Sequence, residues 1–147
     1  MSYVYAAELK GHLRETALRA WSPYGLTESN IMTNADEFAD RPLPFVHLLV
    51  LPPCCSPFSQ INGSRSREDQ ASVLCNLRAA LHALTQPTRP WRVVVENVNT
   101  LTVTIAISCE VGRHTQYSWA TFVYCPRRNG GRLAMRERRI WVGRLIT

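Results

Sequence analysis

Leu101-Thr102-Val103-Thr104-Ile105-Ala106-Ile107-Ser108-Cys109-Glu110-Val111 is the stretch on which the fold turns. Leu101, Val103, Ile105, Ile107, Cys109 and Val111 fall on one side of a two-residue period. Thr100, Thr102, Thr104, Ala106, Ser108 and Glu110 fall on the other, which is the pattern of a strand with one buried face. Upstream, residues 91–98 are β-branched and reach a turn at Asn97-Val98-Asn99. Downstream, Gly112-Arg113-His114 turns into a strand over 117–125, and residues 126–131 turn into a last strand within 132–146. These four segments predict an antiparallel meander over about 91–146.

The helix that covers it is predicted at 66–86. Ser66 can cap, Glu68 and Asp69 fill the first turn where the helix dipole favours acids, and Pro87 ends the run. Val73, Leu74, Leu77, Leu81 and Leu84 make its apolar stripe. Residues 3–14 alternate too, with Tyr3, Tyr5, Ala7, Leu9, Gly11 and Leu13 on one side. A helix over 6–21 competes there on propensity, and Gly11 without an N-cap residue favours a strand. Residues 22–44 are mixed, with a short helix at 33–39, and 45–51 read as a buried strand stopped by Pro52-Pro53. Residues 52–65, rich in proline and cysteine, read as a mobile loop. The expected fold is α+β in one domain, 1–147: an antiparallel sheet, the C-terminal meander plus N-terminal strands, packed with one main helix.

A chain of 147 residues with 46% hydrophobic and 19% charged residues has globular composition. No apolar run approaches the roughly 20 residues needed to span a bilayer. Residues 1–4 show no basic start followed by an apolar stretch, so no secretory signal is expected. Five cysteines, an odd number with Cys54 and Cys55 adjacent, read as free thiols in a reducing compartment.

The fixed positive charge is sixteen arginines and Lys10, and its placement is uneven. After Glu110 stand eight arginines against one acid, Glu137, while residues 1–110 carry eight arginines and Lys10 against ten acids. Coding bias accounts for arginine over lysine; so does the guanidinium fork, which binds phosphate bidentately and stacks on aromatic rings. Arg132, Arg136, Arg138 and Arg144 share one parity of the last predicted strand, and Arg127, Arg128 and Arg139 add charge around it. With Trp119 and Trp141 as stacking partners, these seven arginines predict a polyanion-binding face for RNA or an anionic membrane. The alternative is a solvated edge that resists aggregation.

Zinc is disfavoured, because Cys54, Cys55 and His47 are the one local cluster and no paired-ligand spacing occurs. Catalysis finds no constellation either: Cys75 and His82 lie two helical turns apart, and His114 has only Glu110 near it. Asn129-Gly130-Gly131 reads as a hairpin turn rather than a phosphate loop. No metal, cofactor or enzymatic activity is expected.

In size, basicity and order of elements the chain resembles the small matrix proteins of nonsegmented negative-strand RNA viruses, through its 3–10 strand, the 66–86 helix and the long strands after it. The resemblance implies a structural, self-associating viral protein in the host cytoplasm or nucleus, the virion or the inner membrane face. Its partners would be an anionic membrane surface or RNA and nucleocapsid. An accessory protein that binds and antagonises a host protein through residues 52–65, or through an apolar sheet edge, is the alternative.

Overall fold

A computed structural model describes residues 6–7, 11–32, 37, 45–55, 67–129 and 137–147. Two short elements open it: β1 (Ala6–Ala7), which pairs in parallel with β2 (Ile31–Met32), and between them the helix α1 (Gly11–Trp21). The strand expected over 3–14 is therefore a helix from Gly11 onward. Gly11 sits in its first turn, where a glycine interrupts nothing, and Thr16 Oγ1 donates to His12 O at 2.8 Å. The short helix expected at 33–39 lies outside the described residues apart from Glu37, as does the 56–65 part of the expected mobile loop.

The main body follows in the order β3 (Leu48–Leu51), α2 (Arg67–Leu81), β4 (Arg92–Val98), α3 (Leu101–Gly112), β5 (Tyr117–Tyr124), α4 (Pro126–Asn129) and β6 (Arg138–Leu145). The strands form one four-stranded sheet in the order β3-β4-β6-β5. The mixed class, the four-stranded sheet and the helix near 66–86 stand. The antiparallel meander does not: β3 runs parallel to β4, and only β4–β6 and β6–β5 are antiparallel.

The segment predicted as the best strand is α3. Thr100 stands extended ahead of it, and its hydroxyl accepts from Val103 N at 3.4 Å, capping the first turn. Val103, Ile107, Glu110 and Val111 are buried, one stripe of a 3.6-residue period. Leu101 and Ile105, on the same parity, are 77% and 56% exposed. Positions 103, 107 and 111 belong to both periods, so β-branched residues with threonines between them imitated a strand. Cys109, expected to face the core, is exposed.

Two helices, not one, cover a single face of the sheet. Leu77, Leu81 and Leu84 from the α2 region and Val103, Ile107 and Val111 from α3 close over Leu51, Val93, Val95, Tyr117 and Trp141. Glu110, buried on α3, accepts from Arg78 of α2 at 2.6 Å and ties the helices together. That hydrogen bond, outweighing burial, holds its carboxyl below the ordinary range. At Gly143 of β6 a Cβ would stand 2.7 Å from the Trp119 ring, so only glycine fits the indole against the strand. On the opposite face Leu48, Val50 and Phe122 are 45%, 55% and 50% exposed; the strand expected to be buried at 45–51 is thus an edge strand with one open face.

Candidate active site

In a sheet with parallel strands, ligands gather where the chain leaves the carboxyl ends of those strands. Leu51, the last residue of β3, is in register with Val95 of β4. Beyond it, Pro52-Pro53-Cys54-Cys55 leaves the ladder beside the carboxyl end of β4, where the β-branched run gives way to Glu96 and Asn97. Two prolines cannot extend the ladder, so β3 stops there.

Asn97 fastens this turn. Fully buried, it donates from Nδ2 to Pro53 O at 3.0 Å and accepts from Val98 N at Oδ1 at 2.8 Å. A buried amide with both ends bonded is a rigid tie. It sets Cys54, exposed, immediately after the bonded carbonyl.

On the other face of β4, Glu96 Oε1 accepts from Arg138 Nε at 2.7 Å. The pair is diagonal across the β4–β6 ladder, since Arg138 opposes Val98 and Glu96 opposes Ile140. Their side chains are 15% and 34% exposed, so the guanidinium is mostly enclosed while the carboxylate reaches solvent. Tyr124, half exposed, opposes Arg138 on β5, and Phe122 opposes Ile140. One end of the sheet therefore carries a thiol, a guanidinium-held carboxylate and two open aromatic rings. α4 follows β5 at this same end.

The arginines expected to share one binding face are divided among different tasks. Arg138 holds Glu96, Arg139 Nε donates to Asn99 Oδ1 at 3.0 Å, and Arg128 lies 3.8 Å from Glu137. Asn99 in turn donates to Glu137 at 2.9 Å. Arg127 and Arg128 are exposed on α4. Arg144 is exposed near the far end of β6, opposite Arg92 and Ser118. Arg132 and Arg136 lie outside the described residues. Neither tryptophan offers a free ring. Trp141 is buried with its Nε1 donating to Ser108 Oγ at 3.0 Å, and Trp119 packs on Gly143 and donates to His114 O at 3.3 Å. Among the described residues no group of three His, Cys, Asp or Glu side chains could hold a metal, and no helix is long and apolar enough to cross a membrane.

Sequence reasoning passed over Glu96, read Asn97 as part of a turn that the structure instead places within β4, and weighed Cys54 as a free thiol or a metal ligand but not as a nucleophile. Their signal was an acid and an amide interrupting the apolar run 93–98, beside a second apolar run that ends in Pro-Pro-Cys.

No protein-family model and no curated protein matches the sequence. Solved structures do match the fold. The methyltransferase EhMeth of Entamoeba histolytica matches with a TM-score of 0.67 at 12% identity, over 97% of this chain and 45% of its own. The S. pombe Dnmt2 methyltransferase matches at 0.63 and 18% identity, over 98% and 43%. An rRNA methylase from Streptococcus thermophilus matches at 0.55 and 8% identity, over 97% and 73%. The chain thus spans less than half the length of the first two. These likenesses overturn the expectation of a non-enzymatic, matrix-like viral protein: the fold is one that methyltransferases use, and the resemblance to matrix proteins rested on an outline in which α3 was taken for a strand.

Proposed function

We propose that this chain carries the base-activating part of a nucleic-acid methyltransferase, with Cys54 as nucleophile and Glu96 as proton carrier. The observation that supports it is that Cys54 follows parallel strand β3 directly after the Pro53 carbonyl held by Asn97, while the Glu96–Arg138 pair stands at the same, carboxyl end of β4, in a fold that methyltransferases use. A thiolate is a soft nucleophile that adds to electron-poor ring carbons. In a pyrimidine, Cys54 forms the S–C6 bond while Glu96 gives a proton to the ring nitrogen N3. The electron pair then rests on C5, which becomes able to take up an electrophile. When C5 has received its substituent it loses its hydrogen as a proton to water, the S–C6 bond breaks to restore the C5=C6 double bond and the thiolate, and N3 returns its proton to Glu96.

Arg138 keeps Glu96 in place, and Tyr124 and Phe122 supply rings against which a base can stack. Arg127 and Arg128, exposed on α4 at the same end, grip phosphates of the strand that carries the base.

Methyl transfer also needs a donor, and the described residues do not form a cradle for one. Two open hollows, one lined by Ser118, Arg144, Leu145, Ile146 and Thr147 and one by Gly11, Arg14, Glu15, Leu18, Glu28 and Ile31, have neither Cys54 nor Glu96 in their linings. Hydrogen exchange at C5 needs only the thiol and the acid, so it tests the reading without a donor. In deuterated water the chain is expected to exchange the C5 hydrogen of cytosine in an oligonucleotide, read by mass. Cys54→Ser abolishes this and Cys55→Ser does not. Exchange that ignores Cys54, or none, contradicts the proposal.

A further inference from the structure

α3 turns one side outward but lacks the composition of a surface helix. Of its 12 residues only Glu110 is charged, and Glu110 is buried against Arg78. A helix with one side on the core ordinarily carries charge on the other; one that is apolar or neutral all round is covered on both. The side turned away from Val103, Ile107 and Val111 is the row Leu101, Ile105, Cys109 and Gly112, spaced by four, four and three residues. Leu101 and Ile105 are both more than half exposed, and Cys109 and Gly112 are exposed as well. An open apolar row of this kind marks a contact surface.

The row is graded in size along the chain, from two large aliphatic residues to a thiol and a glycine. A Cβ at Gly112 would meet nothing within 4 Å among the described residues, so open space stands above the glycine. This shape fits a second copy of the same row running the opposite way. Across a two-fold axis that passes beside Ile105, Leu101 of each copy seats over Gly112 of the other, and each Ile105 packs against Ser108 and Cys109 opposite. A parallel pair would set leucine on leucine and leave the space at Gly112 empty. Charge at the two ends favours the same direction. Arg113, its side chain 68% exposed, follows Gly112 and reaches Glu110 only at 4.0 Å. At the other end Asn99, two residues before Leu101, donates to Glu137, whose side chain is 36% exposed. The antiparallel arrangement brings each Arg113 towards the Glu137 of the other copy, whereas the parallel one sets arginine beside arginine.

We infer that α3 is a self-association surface: two copies of this chain pair through Leu101, Ile105, Cys109 and Gly112 in an antiparallel, two-fold contact. The contact is confined to one helix on each copy and falls below the roughly 1,000 Å² of a stable interface, so the dimer forms reversibly with concentration. Glu96 and Arg138 lie on the opposite face of the sheet and stay open in the dimer, and a failure of base exchange leaves this inference standing.

The test is sedimentation of the 147-residue chain over a concentration series up to about 1 mM. The mass is expected to rise from 16.7 kDa towards twice that value and no further, because a two-fold contact closes on itself. Gly112 has no positive φ and open space around it, so Gly112→Leu leaves the urea midpoint of the monomer unchanged or higher while it fills the space that Leu101 needs. It should weaken dimerisation roughly tenfold or more, and adding Leu101→Ala to it should restore the dimer. Unspecific apolar adhesion and a parallel pair both predict the reverse, a stronger association in Gly112→Leu. A chain that stays monomeric throughout, a mass that passes beyond two copies, dimerisation unchanged or strengthened in Gly112→Leu, or no recovery in the double variant would each overturn the inference.

Discussion

Asn97 shows how one buried amide can fix the turn that carries the proposed nucleophile. Replacing it with alanine removes both of its hydrogen bonds and leaves Pro53 O without its buried partner. The expected cost is about 1–3 kcal/mol of stability, read from urea midpoints. Base exchange should fall by about tenfold or more, because Cys54 is no longer held in place. Gly143→Ala tests a different constraint: its new Cβ would stand 2.7 Å from Trp119, and the expected loss is about 1–3 kcal/mol with the sheet otherwise intact. Neither residue stands out by type in the sequence. The meaning of Asn97 depends on Pro53, and that of Gly143 on a tryptophan 24 positions earlier, so both appear only when the ladder is known.

At the scale of elements, much was legible. α2, β4 and β6 follow from patterns of stripe, β-branching and turn, because each buries one side against a neighbouring layer, and β5 follows from its β-branched and aromatic residues between two turns. α3 was misread for a physical reason: Val103, Ile107 and Val111 fit periods of 2 and 3.6 alike, and the deciding signal was the cap at Thr100 rather than any apolar residue. The parallel pairing of β3 was hidden as well, since a short apolar run does not state its direction. The junction of α2 and α3 carries a pH prediction. Arg78 holds the Glu110 carboxyl below its ordinary 4.5, so its stabilisation is full above that value and is lost as pH falls through the lowered one. Burial pushes His114 below 6.5, and since the fold prefers its neutral form, acidification below that value weakens the fold in the same direction. Glu110→Gln should lower stability at pH 7 and flatten its decline below pH 4.5, measured as urea midpoints across the acid range.

For the whole molecule, the net charge of +6 pointed towards an anionic partner without showing which arginines have other partners within the fold. Arginine numbers can be counted in the sequence; their partners cannot. Glu96, Glu137 and Asn99 engage Arg138, Arg128 and Arg139, and the sheet separates Arg144 from the others. Arg127→Ser with Arg128→Ser is therefore expected to weaken oligonucleotide binding and reduce its salt dependence, while Arg144→Ser changes neither. The candidate site was present in the sequence as Pro-Pro-Cys and an acid within an apolar strand, but only the fold brings them to one end of the sheet.

The central claim, that Cys54 adds to a pyrimidine ring, is tested most directly by trapping the adduct. In an oligonucleotide containing 5-azacytosine, addition of the thiolate to C6 and of a proton to the ring nitrogen N5 gives a stable covalent product. Digestion and mass mapping should find the adduct on the peptide containing Cys54, absent in Cys54→Ser, strongly reduced in Glu96→Gln and preserved in Cys55→Ser. An adduct on Cys55 or Cys75, or none on the wild-type chain, would contradict the account.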